Sequence, residues 1–163
     1  MKKIASILIP LSVLVLMSCK LPANNKTNTD AKDSLTTLYT KAINEYIGII
    51  RNRDNVKFDT LFISNRKLGQ PDDFPDINLP STINNTHIEL IPMLNGNENQ
   101  KYIFSKTSPM INLIGCVEQT KAEFIFVTFY PGFKHQFDCY INYTLNTNSK
   151  TFELENARVE VIK

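Results

Sequence analysis

Glycine is scarce in this chain, five residues out of 163, and tryptophan is absent. Loops that cradle phosphate need several glycines close together, so that backbone N–H groups can approach the anion. The five here are scattered, and no Gly-x-Ser-x-Gly elbow presents a nucleophile. Histidine occurs twice, as His87 and His135, and cysteine three times, as Cys19, Cys116 and Cys139. With no Cys-x-x-Cys and no histidine pair at helical spacing, a zinc site is disfavoured. No block of like charge stands out, so the clustered Lys and Arg that grip a phosphate backbone are missing and nucleic acid is not an expected partner. No catalytic residue, metal or cofactor is assigned from the sequence. His87 with Glu89 on one strand face, and His135 near Asp138 and Tyr140, have groups suited to acid–base work, but polar surface histidines are far commoner.

What is present begins at the amino end. Met1-Lys2-Lys3 is positive, and Ile4–Met17 is an uncharged apolar run of fourteen residues interrupted by Pro10. A spanning helix needs about 20 apolar residues, whereas a positive start followed by a shorter apolar core is the layout of an export signal. The run ends Leu16-Met17-Ser18-Cys19. These residues resemble the lipobox of bacterial lipoproteins, with an apolar residue at −3, a small one at −1 and a cysteine at +1; Met17 departs from the usual residue at a tolerant position. The resemblance implies that Leu16 and Ser18 are read by the signal peptidase. It also implies that the Cys19 thiol carries a diacylglyceryl group, with acyl chains such as palmitate. Two or more chains give lasting attachment where one is marginal. On this reading residues 1–18 are a signal peptide, 19–29 are the lipidated cysteine and a flexible tether, and 30–163 are a single domain. Lys20, where Asp would retain a lipoprotein in the inner membrane, implies sorting to the outer membrane. Lipoproteins sent to the surface of Bacteroidota carry acidic residues after the cysteine. Lys20-Leu-Pro-Ala-Asn-Asn25 has none, which implies the periplasmic leaflet.

Loss of the signal removes Lys2 and Lys3, leaving sixteen basic residues against sixteen acidic ones. The mature chain is near neutral and long enough to bury a core without cross-links. One helical face is formed by Leu35, Leu38, Tyr39, Ala42, Ile43, Tyr46, Ile47 and Ile50, with Asp30 as N-cap and Arg51 and Arg53 at the C-terminal end of the dipole. Strands are expected over 56–63, 86–91 and 101–105, separated by an irregular segment 64–85 rich in Pro, Asp and Asn and by a turn at 95–97. The last third reads as four strands, 110–117, 124–130, 137–145 and 151–162, joined by turns short enough to make an antiparallel meander. The first and third strands of a meander lie roughly 10 Å apart, beyond the ~7 Å that a disulfide allows. Cys116 and Cys139 are therefore both expected to be free.

The fold class expected is α+β, one amphipathic helix packed on a curved antiparallel sheet. This element order resembles the cystatin-like and NTF2-like folds, a likeness of architecture over residues 30–163 that by itself decides no function. Phe137, Cys139, Ile141, Tyr143 and Leu145 share the strand face that should meet the helix. Residues 124–130 are apolar on both sides. With Ile125, Val127 and Phe129 assigned to the core, Phe124, Phe126, Tyr130 and the neighbouring Tyr140 turn outward as a candidate contact face. The sequence thus points to a non-enzymatic, lipid-anchored envelope protein, tied to the membrane through Cys19, whose domain binds another envelope protein or itself. The alternatives are a small-molecule binder or enzyme with an NTF2-like pocket, and an inhibitor or immunity-type protein acting through 64–85.

Overall fold

The computed structural model describes residues 28–54, 56–64, 77–91, 108–129 and 137–162, with side chains of the first stretch from Ser34 to Arg53. Leu16, Ser18, Cys19, most of the tether, Tyr130, His135, the turn at 95–97 and the strand expected over 101–105 lie outside these residues.

The helix α1 runs Asn28–Asp54. Its expected apolar face is the buried one: Leu38, Tyr39, Ala42, Ile43, Tyr46, Ile47 and Ile50 are all inaccessible, and Leu35 packs at the margin. Lys41 and Asn44 face solvent. Among the described residues seven strands follow: β1 (Thr60–Ser64), β2 (Thr82–Ile83), β3 (Thr86–Ile91), β4 (Met110–Val117), β5 (Lys121–Phe129), β6 (Phe137–Asn146) and β7 (Thr151–Val161). They form one curled sheet in the order β2-β3-β1-β4-β5-β6-β7, with α1 laid on its concave face.

The meander β4–β7 is antiparallel throughout, as expected. The other half corrects the expectation of an antiparallel sheet. β1 pairs in parallel with both β3 and β4, so the sheet is mixed. Parallel neighbours need connections long enough to return the chain to its starting end, and residues 65–81 and 92–109 provide that length. Within the segment expected to be irregular, β2 and β3 form a tight hairpin through Asn84 and Asn85, with φ of 49° and 57°. Two consecutive positive φ values are what a two-residue primed turn requires, and asparagine tolerates them.

Arg51 ties this hairpin to the end of the helix. Its guanidinium donates to the Asn84 carbonyl (2.7 Å), to Thr86 Oγ1 (2.9 Å) and to the Phe58 carbonyl (3.3 Å). At the far end of the core, Tyr39 meets Phe124 edge-on at 4.8 Å. A Cβ on Gly115 would lie 2.7 Å from Tyr39 Cζ, so glycine there lets the tyrosine ring approach the β4 backbone.

The second correction concerns β5. Phe124 and Phe126 are fully buried beneath the helix, and Ile125, Val127 and Phe129 are the residues that face away from it. Register explains the reversal. Phe126 lies opposite Cys139 and Phe124 opposite Ile141, and cross-strand partners share a face. Because Cys139 and Ile141 are core residues, their partners are too. The strand begins at Lys121, so Lys121 and Glu123 share a parity with Ile125 and Val127 and mark the outer side. A strand taken to begin at Phe124 lacks that marker.

A third correction concerns the cysteines. Cys139 is free and buried, but Cys116 is disulfide-bonded, with a partner outside the described residues. The two are not bonded to each other, in keeping with their places on β4 and β6 with β5 between them.

Candidate functional site

On the concave face, chemistry is suppressed. The Tyr46 ring stacks on Phe126 at 4.6 Å, and its hydroxyl lies 2.9 Å from Thr128 Oγ1 in a buried hydrogen bond. Burial pushes the Tyr46 phenol far above its ordinary range, raises Tyr39 to about 12 and raises Tyr143 as well. The Cys139 thiol is pushed to about 12 by burial, against the lowering effect of the Arg53 guanidinium. Burial thus keeps this thiol protonated at neutral pH and withholds the thiolate that a nucleophile needs. Phe124 also meets Tyr143 edge-on at 6.0 Å, closing an aromatic stack between helix and sheet.

The convex face is different. Ile114 on β4 and Ile125, Val127 and Phe129 on β5 form a half-buried apolar band. Of the four residues first assigned to a contact face, Tyr140 alone is found there. Phe124 and Phe126 are in the core, and Tyr130 lies outside the described residues. Tyr140 stands opposite Ile125, with the Arg158 guanidinium 4.5 Å above its ring. Beside it Asp138 stands directly opposite Glu160, and its Oδ1 is buried without a hydrogen-bond partner. Burial first, and then the Glu160 carboxylate, raise the Asp138 pKa.

A cleft of about 320 Å³ opens at one end of the sheet, its wall more apolar than polar, lined by Cys116, Ala122 and Tyr143 together with Glu118, Lys121, Glu123 and Glu155. Its polar groups partly satisfy one another. Asn142 Nδ2 donates to Asn156 Oδ1 (3.1 Å), and Thr144 Oγ1 donates to Glu155 Oε2 (2.8 Å). Among the described residues no group of His, Cys, Asp and Glu is arranged to hold a metal ion. His87 and Glu89 are exposed on the same side of β3, as alternation required.

Sequence reasoning missed the cleft and the convex band. The cleft depends on a β-bulge, because Asn142 pairs with Asn156 while Tyr143 pairs with Leu154, leaving Glu155 as the extra residue. No turn residue or break in composition announces that bulge. The band was readable from the parity of Lys121 and Glu123. Among the described residues no helix is long and apolar enough to cross a membrane. Comparison with known proteins finds no matching family model, no matching curated protein and no matching solved structure.

Proposed function

We propose that this chain is a lipid-anchored protein of the bacterial cell envelope whose α+β domain is a non-enzymatic binding module. The filled concave face carries the second half of that reading. In a cystatin-like or NTF2-like architecture, which the helix-first order and curled sheet support, a pocket would need open space and polar groups between helix and sheet. Here Ile43, Tyr46, Phe124, Phe126 and Ile141 are fully buried in that space, so recognition falls to the outer surface. The anchor rests on Leu16, Ser18 and Cys19, and Lys20 favours the outer membrane facing the periplasm.

Metabolic labelling with a palmitate analogue tests the anchor. Label is expected on the wild-type chain and is lost in Cys19→Ala; an unlabelled wild type overturns the anchor. The Cys116 disulfide counts against this anchor, because with three cysteines and Cys139 free a lipidated Cys19 leaves Cys116 no partner within the chain. Thiol titration of the labelled protein therefore reports on both. For the binding role, a photo-cross-linking side chain at Val127 is expected to give a discrete adduct in intact cells. No adduct from positions 125, 127 or 129 removes the convex face from the reading.

A second reading, a binder of a small molecule, is favoured by the cleft, whose volume of about 320 Å³ falls at the lower end of the ~300–1,000 Å³ range of ligand sites. Added mass on the native protein that disappears in Glu123→Ala would support it.

A further inference from the structure

The two edges of the sheet are unlike. β2 ends one side with two residues, too short to template another strand. β7 ends the other with eleven, exposed along almost its whole length. It contains no proline, lysine or glycine, and the charges of Glu153, Glu155, Arg158 and Glu160 aside, few of the usual protections of a long edge remain. What it has is the bulge at Glu155 and a cap on one carbonyl, Lys41 Nζ donating to Phe152 O at 3.5 Å. Both devices guard the first half, and among the described residues no strand pairs with the outer side of the ladder from Asn156 onward.

The direction of its backbone groups follows from β6. Leu145 donates its N–H to Thr120, on the β5 side. In an antiparallel ladder successive residues alternate between the two neighbours, so the odd residues of β6 turn to β5 and the even ones to β7. Beyond the bulge Ala157, Val159 and Val161 lie opposite the odd residues Ile141, Cys139 and Phe137. These three therefore point their own N–H and C=O groups off the sheet.

We propose that β7 pairs antiparallel with β7 of a second copy of this chain, about a two-fold axis at Val159. In this register Val159 faces Val159 of the other copy, and Ala157 faces Val161. All are residues whose backbone groups point outward, as hydrogen-bonded pairs require. Arg158 then faces Glu160 of the other copy, twice, on the convex side. Within one chain these two side chains pair with each other at 3.5 Å along the strand and are 60% and 52% exposed, so the dimer exchanges a solvent-screened pair for two across the interface. Charge selects this register from its neighbours: shifting the axis to Arg158 sets two cations opposite each other, and shifting it to Glu160 sets two carboxylates opposite each other, each destabilising. The carboxylates of Asp138 and Glu160 already face each other across β6 and β7, and the arriving Arg158 would neutralise that pair. Val161 and Ile162, exposed at 45% and 46%, are covered by the same step. The pairing is independent of the anchor and of the convex band, so its failure leaves the proposed function standing.

Sedimentation of the full-length chain in mild detergent tests it through charge exchange. The wild type is expected to be a dimer. Arg158→Glu alone, giving only carboxylates at positions 158 and 160, and Glu160→Arg alone, giving only cations, are each expected to be monomers. An equimolar mixture of the two variants is expected to recover a dimer containing one of each. Val159→Pro removes an outward N–H at an edge position where proline is tolerated, and is expected to abolish the dimer while leaving the circular dichroism unchanged. A monomeric wild type overturns the proposal, as does a dimer that survives the single charge variants. A mixture that stays monomeric overturns the register. If Val159→Pro unfolds, the charge exchange decides alone.

Discussion

On one side of β5, Phe124 and Phe126 are fully buried against the rings of Tyr39 and Tyr46. On the other, one residue out of phase, Ile125, Val127 and Phe129 are only partly covered. Both sides are apolar, so hydrophobicity alone does not tell them apart. The difference lies in what each side meets. The concave side has a helix whose aromatic rings mesh with those of the strand, and close packing there makes every atom count. The convex side has aliphatic groups at the margin of a polar field, where Arg158, Asp138 and Glu160 compete for partners. A strand apolar on both faces is thus oriented by its cross-strand register and by its polar first residues.

The two sides of β5 differ most in what truncation costs. Phe126→Ala is expected to cost about 3–5 kcal/mol, as for other fully buried phenylalanines. Val127→Ala, on the half-exposed side, should cost less than about 1.5 kcal/mol, in line with a partly buried methyl loss. Denaturant unfolding of the pair reads the gap directly, and equal costs would place both residues in one environment.

Tyr46→Phe comes next. It keeps the stack on Phe126 but strips the partner from Thr128, which is 2% exposed. An unsatisfied buried hydroxyl costs about 1–3 kcal/mol, so a loss of that order is expected. Adding Thr128→Val should return part of it, because the orphaned group is then gone. A double variant no more stable than the single one would mean that the hydroxyl pair contributes little.

The smallest effect belongs to the convex side. Burial and Glu160 hold the Asp138 pKa above its ordinary 3.8. The native state therefore binds this proton more tightly than the unfolded chain. Stability is expected to fall as pH rises through the window just above the ordinary carboxylate range, and to be regained as pH falls back toward 3.8. Asp138→Asn should flatten that part of the profile and give a gain at neutral pH below about 1 kcal/mol, because the group is partly solvated. Thermal unfolding across the acid range measures it, and an unchanged slope would contradict the assignment.

Much of this architecture was legible because local signals were strong. The helix from Leu35 to Ile50 repeats at helical spacing, and the turns around 118–120 and 147–150 force β4–β7 into a meander. The parallel half was not legible. The partners of β1, β3 and β4, are distant in sequence, and a strand of five residues carries no mark of direction. The candidate contact face failed at one point, the omission of Lys121 to Glu123 from β5, which shifted the inferred inside and outside by one residue. The edge of β7 was legible as a strand, but its exposure depends on being last in the sheet, which only the full order reveals.

A pair of lysine substitutions shows which side of β5 is the core. The far-UV circular dichroism and thermal transition of Phe126→Lys and Val127→Lys would be compared under the same conditions. The burial pattern predicts that Val127→Lys keeps the native spectrum and a cooperative transition, its ammonium reaching solvent from the convex face, while Phe126→Lys loses both. A folded Phe126→Lys beside an unfolded Val127→Lys would contradict the account and return Phe124 and Phe126 to the outer surface.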